Sequence, residues 1–182
     1  MGPKLVVTGF MGTGKSRIGR AAAERLGWRF VDTDREVVAQ SGKSIAEIFE
    51  AYGEPRFRAL ERTAIVAMAE RSRPAVIATG GGALADQSNF GTLKRAGIIV
   101  CLTARPEVIA ARLARSGETR PKLLEGGKPI LERIVELLAE RAGAYARADA
   151  ALDTSDLTVD EAAERLVAIF TALRERNCEP SA

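Results

Sequence analysis

Lys4-Leu5-Val6-Val7-Thr8 followed by Gly9-Phe10-Met11-Gly12-Thr13-Gly14-Lys15-Ser16 is the stretch on which the fold turns. The first five residues are a short run rich in Leu and Val, the pattern of a strand buried on both faces. The next eight fit the spacing of a phosphate-binding loop, four residues between the first glycine and the Gly-Lys-Ser ending. Glycines there let backbone N–H groups curl around a phosphate with no Cβ in the way. The helix expected to follow presents the positive end of its dipole to the same anion. Lys15 supplies a mobile charge for the terminal phosphates, and Ser16 supplies a hydroxyl for Mg²⁺. The alternative, a glycine-rich turn with an incidental Lys-Ser, fits the strand-before, helix-after context poorly.

Working outward, four more β-like runs occur at Arg29–Val31, Ala75–Ala78, Ile98–Leu102 and Ala150–Leu152. The segments between them are long enough for crossover helices. Alternation of this kind predicts a single α/β domain over residues 1–176, a five-stranded parallel sheet between two helical layers. Ser44 and Glu47 form one capping-box pattern, predicting a helix to about Tyr52; Thr158 and Glu161 form another before the last helix. Ala162, Leu166, Ile169 and Leu173 mark the inner face of that helix. Ile130, Ile134, Leu137, Leu138 and Tyr145 form the apolar stripe of a helix expected over 130–148. Residues 115–127 break all periodicity and are rich in Gly, Pro and charge, predicting a mobile lid. Residues 177–182 read as a frayed tail.

The chain has 182 residues, enough for one well-formed core. Its 27 Lys and Arg against 24 Asp and Glu give a net charge of +3, too weak a bias to argue for nucleic acid. There is no histidine, which excludes Ser-His, Cys-His and His-metal chemistry. The two cysteines, Cys101 and Cys178, have no metal-ligand spacing and fit a reducing cytoplasm, one buried and one exposed. No apolar run is long enough for a membrane span, and no signal-peptide pattern precedes the first strand.

Further candidates lie after the strands, where ligands of open α/β sheets collect. Asp32-Thr33-Asp34 ends the second run; if extended, it aims both carboxylates the same way, one toward a metal-bound water and one toward a substrate hydroxyl. Asp34 equally suits a plain N-cap. Gly53-Glu54-Pro55-Arg56-Phe57-Arg58-Ala59-Leu60-Glu61 opens a helix in which Arg58 and Glu61 can pair, or simply form a solvated surface ion pair. Gly80-Gly81-Gly82 follows the third run, as a ligand's close approach to backbone or a plain tight turn would require. Arg141 falls on the apolar stripe between Leu137 and Tyr145, where an arginine needs an anion, either a ligand's or a buried carboxylate.

Taken in order, the phosphate loop, Asp32-Thr33-Asp34, the Phe57-Arg58…Glu61 segment, the glycine triplet, Arg120-Pro121, Arg141…Tyr145 and the closing Asp149…Asp153-Thr154-Ser155 resemble the shikimate kinase family across about residues 4–173. That resemblance implies a P-loop kinase fold and transfer of phosphate from ATP to shikimate, giving shikimate 3-phosphate in aromatic amino-acid biosynthesis. It implies a cytoplasmic monomer with Mg²⁺ as cofactor, and ATP and shikimate as its only partners, with no nucleic acid and no membrane. Gly12, Thr13, Gly14, Lys15, Ser16, Arg17 and Arg120 would contact ATP, with Lys15, Asp34 and Arg120 catalytic. Asp34, Arg58, Gly80, Gly81, Gly82 and Arg141 would hold shikimate, the two arginines on its carboxylate and Glu61 orienting Arg58. Ser16 and, through water, Asp32 would serve the metal. Arg112 or Arg115 would flank the adenine.

One departure stands out: many family members read Arg-Pro-Leu-Leu in the lid, whereas here Lys122 intervenes after Arg120-Pro121. Two rival readings are a P-loop kinase for gluconate or a nucleoside monophosphate, and a catalytically silent ligand-sensing domain. The Arg58…Glu61 segment and the triplet speak against the first; retention of Lys15 and Asp34 speaks against the second.

Overall fold

The computed structural model describes residues 2–116 and 127–178. Five strands, β1 (Lys4–Gly9), β2 (Arg29–Asp32), β3 (Ala75–Ala78), β4 (Gly97–Thr103) and β5 (Ala150–Asp153), form one sheet in the order β2-β3-β1-β4-β5. Every pairing is parallel, with Val6 opposite both Ile77 and Ile99. Each expected strand is present within one residue at either end. Short runs of Val, Ile and Leu are legible because a central parallel strand is buried on both faces.

Side chains of β1 alternate between the two helical layers. Leu5 and Val7 pack with Ile98, Val100 and Leu102 against α1 (Lys15–Leu26) and the last helix, α7 (Val159–Cys178), through Ile18, Ala22, Leu166 and Phe170. Val6 and Ile99 face the other way, onto Ile65 of α3 (Ile45–Ala69) and Leu93 of α4 (Gln87–Ala96). All of these strand residues are buried, each contributing about 1.5–3 kcal/mol of transfer free energy. Lys4 is also wholly buried; its ammonium donates to the carbonyls of Gly2, Arg71 and Arg73 at 3.0, 2.7 and 2.8 Å. Burial lowers its pKa, and the three carbonyls supply the acceptors that a buried ammonium requires.

Both capping boxes form. Ser44 Oγ accepts from Glu47 N while Glu47 returns the bond to Ser44 N, and Thr158 and Glu161 do the same for α7. The helix that Ser44 opens is broken at Gly53 (φ 74°, ψ 175°), after the expected end near Tyr52. Pro55 then sits in the first turn of the second segment, where its missing N–H costs nothing.

Several boundaries differ from expectation. The helix expected after the lid, α6 (Ile130–Tyr145), ends three residues before 148. Ile134 and Leu137 are buried, with Ile109 of α5 (Pro106–Ser116) in the same apolar cluster, but Ile130, in the first turn, is 49 % exposed. Arg115 belongs to α5 and not to the lid. The last helix continues through Cys178, past the expected start of the tail at 177. The rest of the expected lid, with Arg120 and Lys122, lies outside the described residues. No helix among the described residues is long and apolar enough to cross a membrane.

Candidate functional site

The carboxyl ends of β1, β2 and β3 bring the candidates together. Gly12 (φ 79°) and Gly14 (φ 94°) bend the loop after β1 through left-handed conformations that L side chains rarely adopt. The Phe10 carbonyl collects three bonds from inside the loop, from Thr13 N at 3.4 Å, Thr13 Oγ1 at 2.8 Å and Lys15 Nζ at 2.9 Å. No side chain caps α1 at Gly14, and a helix N-terminus presents N–H groups and a positive dipole end to an anion. From outside, Arg112 of α5 donates to the Gly12 carbonyl at 3.3 Å and to the Thr154 carbonyl at 2.6 Å, and Thr154 Oγ1 donates to the Thr13 carbonyl at 3.1 Å. Arg112, rather than the exposed Arg115, is therefore the arginine that reaches the loop. Arg17 is exposed and shares a shallow groove with Arg20 and Arg35 beside Ser16.

The two aspartates do not point the same way. Asp32, the last residue of β2, is the N-cap of α2 (Thr33–Ser41): its Oδ1 accepts from Asp34 N and Arg35 N, and its Oδ2 accepts from Ser16 Oγ at 2.6 Å. The chain is thus already helical at Thr33, and the extended alternation expected for 32–34 fails. Asp32, not Asp34, does the capping. Asp34 instead faces β3: a Cβ built on Gly80 would lie 2.8 Å from Asp34 Oδ1 and 2.6 Å from Glu61 Oε1.

The triplet is needed for space, since none of its three residues has a positive φ. Each missing methyl is filled by a different side chain. Gly80 adjoins Asp34 and Glu61; the Cβ position of Gly81 is 3.3 Å from Arg141 Nη1, and that of Gly82 is 3.0 Å from Arg58 Nη2. Thr33 Oγ1 accepts from Gly80 N at 3.1 Å, tying the triplet to α2.

Arg58 Nη1 donates to Glu61 Oε2 at 2.8 Å and Arg58 Nη2 to Glu54 Oε1 at 2.7 Å. Glu61 is fully buried, so this is not a solvated surface pair. Burial pushes the Glu61 carboxyl above its ordinary pKa; Arg58 pulls it back and Asp34 adds to the rise. Burial disfavours the Arg58 cation, but the Glu61 and Glu54 carboxylates outweigh it and hold the guanidinium charged. Across the cleft, the Arg141 guanidinium lies 5.3 Å from the centroid of the Phe10 ring, and Arg141 Nη1 donates to the Gly81 carbonyl at 3.3 Å. Tyr145, one turn on, donates its hydroxyl to that same carbonyl at 2.7 Å. From sequence, Tyr145 had a place on the apolar stripe and in the Arg141…Tyr145 segment but no role of its own; the i,i+4 spacing from Arg141 was the available signal. Sequence reasoning also missed Thr33 and Thr154, whose hydroxyls bond loop backbone and carry no pattern of their own.

Two arginines from different helices and one aspartate thus ring a glycine loop beside a phosphate cradle. A family model described as shikimate kinase matches residues 11–171. The chain belongs to the shikimate kinase family. The shikimate kinase of Caldanaerobacter subterraneus subsp. tengcongensis is 42 % identical over 172 residues, covering 94 % of this chain and 98 % of that one. The shikimate kinase of Geobacter sulfurreducens is 45 % identical over 174 residues, covering 96 % and 92 %. Among solved structures, the shikimate kinase of Acinetobacter baumannii in complex with shikimate superposes with a TM-score of 0.86 at 30 % identity, over 98 % of this chain and 97 % of that one. Membership in the shikimate kinase family makes this an ATP-using small-molecule kinase.

No cluster of three or more His, Cys, Asp or Glu that could hold a metal exists among the described residues. The Ser16 hydroxyl and Asp32 carboxylate, 2.6 Å apart at the mouth of the phosphate loop, are hard oxygen donors. A sparse oxygen set of this kind fits Mg²⁺, which takes few protein ligands and completes its shell with water and phosphate.

Proposed function

We propose that this chain transfers the γ-phosphoryl group of ATP to a hydroxyl of shikimate, giving shikimate 3-phosphate and ADP. The observation that carries this reading is the convergence of Asp34, Arg58 and Arg141 on Gly80–Gly82, one glycine wide of the phosphate loop. A guanidinium fork on each side suits a planar carboxylate. Asp34 sits where it can accept a hydrogen bond from a ring hydroxyl and take its proton as the new P–O bond forms and the bond to the ADP oxygen breaks. Lys15 neutralises the charge on the transferring group, while the open N-terminus of α1 holds the phosphates. Ser16, and Asp32 through water, would hold Mg²⁺, which when bound neutralises phosphate charge. Arg120 completes this assignment as a second phosphate contact, and the segment around it as a cover that excludes water.

A coupled assay of ADP release with shikimate, gluconate and nucleoside monophosphates tests the substrate. Shikimate alone is expected to turn over efficiently; faster turnover of either other class overturns the reading. Arg58→Lys and Arg141→Lys test the site. Each is expected to raise the KM for shikimate by about tenfold, about 1.4 kcal/mol, and to leave the KM for ATP nearly unchanged. If both variants still discriminate against the carboxamide of shikimate as strongly as the parent, the carboxylate is read elsewhere.

A further inference from the structure

Gly81 is the one residue of the triplet that touches both halves of the site. Its Cβ position lies 3.3 Å from the Gly9 carbonyl oxygen and 3.6 Å from Met11 N, against the phosphate loop, and 3.3 Å from Arg141 Nη1. Its carbonyl accepts from Tyr145 Oη at 2.7 Å and from Arg141 Nη1 at 3.3 Å. A trans peptide points its C=O and N–H in opposite directions. The two donors that draw the Gly81 carbonyl toward α6 therefore turn the Gly82 N–H away from it. Among the described residues neither the Gly81 nor the Gly82 N–H donates to a protein acceptor. Gly82 in turn adjoins the Arg58 guanidinium.

We infer that Tyr145 is a positioning residue for recognition of the substrate's carboxylate, its hydroxyl fixing the Gly81–Gly82 peptide so that the carbonyl is turned away from the acid and the Gly82 N–H is left free between Arg58 and Arg141. This rests on the substrate reading above. A glycine pair has no side chain to hold its peptide in one orientation, and a peptide flip would aim a carbonyl oxygen at an incoming anion. Arg141 alone bonds the carbonyl at a longer 3.3 Å and is itself required for the ligand. Tyr145 supplies the shorter bond from a partly buried ring at the edge of the apolar cluster that contains Phe10. Burial pushes its hydroxyl up to about 12, with Arg141 opposing, so it remains a donor throughout the neutral range.

Tyr145→Phe removes the hydroxyl and keeps the ring. The expected result is a KM for shikimate raised about five- to tenfold, a KM for ATP within twofold of the parent, and a fall of similar size in preference for shikimate over its carboxamide. Calorimetric titration of shikimate without nucleotide is expected to show the same loss. A shikimate KM within twofold of the parent with preference intact overturns the inference. So does a parallel rise in both KM values, or a melting temperature more than about 10 °C lower, either of which makes the tyrosine a packing residue. Failure of the parent protein itself to phosphorylate shikimate would overturn the substrate reading instead, so the two failures are separate.

Discussion

Glu61 lies wholly buried with one carboxylate oxygen 2.8 Å from Arg58 Nη1, while its other oxygen faces Gly80 beside Asp34. A single acid therefore links the arginine assigned to the substrate's carboxylate and the aspartate assigned to its hydroxyl. Glu61→Gln keeps the shape and an acceptor oxygen but removes the buried charge, leaving the partly exposed Glu54 as the carboxylate beside Arg58. The expected outcome is a shikimate KM about tenfold higher, with the KM for ATP within about twofold, read by steady-state kinetics. An unchanged shikimate KM would mean that Glu54 alone orients Arg58.

Lys15 opens α1 with its ammonium on the Phe10 carbonyl. Lys15→Met should reduce kcat by about 10²-fold or more, the usual consequence of losing a positioned charge at the transferring group. The melting curve should stay within a few degrees of the parent. Activity within tenfold of the parent would remove Lys15 from the phosphate assignment.

Glycines in this chain separate into those that make room and those that do not. Gly80→Ala places a methyl 2.6 Å from Glu61 Oε1 and 2.8 Å from Asp34 Oδ1, both on buried surroundings that cannot recede freely. It should destabilise the protein by about 1–3 kcal/mol and abolish activity. Gly143→Ala, on an exposed turn of α6 with nothing within 4 Å, should instead stabilise by about 0.5–1 kcal/mol. Paired denaturant titrations check both signs at once. Equal effects from the two would refute the spatial reading of the triplet.

Burial pushes the Cys101 thiol up to about 11, with Lys15 opposing. Below the ordinary thiol pKa both folded and unfolded forms carry the proton, and stability is indifferent to this group. As pH rises through about 9 the unfolded thiol ionises first, so unfolding releases a proton and stability falls, by roughly 2 kcal/mol on approaching pH 11. Cys101→Ala should flatten that slope in urea titrations between pH 8 and 10.5. In a Cys178→Ser background, native protein should also resist iodoacetamide at pH 8 and react once unfolded. Rapid native alkylation would contradict the buried placement.

Much of the architecture could be read directly from residue patterns, because parallel strands buried on both faces announce themselves as runs such as Leu5-Val6-Val7 and Ile98–Leu102. Caps such as Ser44/Glu47 are equally local. The site was legible where a motif has fixed spacing, as from Gly9 to Ser16. It was less so where geometry depends on what the backbone does next. Asp32 and Asp34 diverge because α2 already begins at Thr33, with Asp32 as its cap, two residues before the Asp34 cap that an extended 32–34 would allow. Tyr145 looked like one more apolar-stripe residue because a hydroxyl's partner, the carbonyl of Gly81, is 64 positions away and leaves no periodic trace.

The strand order has a consequence for synthesis. Of the five strands β1 is made before the others, yet it occupies the middle of the sheet, and its neighbours are β3 and β4, beginning at Ala75 and Gly97. At about 5–20 residues per second, Leu5, Val6 and Val7 wait several seconds or more with neither edge covered. The phosphate loop is built on the end of that strand. A nascent chain halted before Ala75 therefore carries this apolar strand with neither neighbour made, an unpaired edge on both sides that other chains can add to.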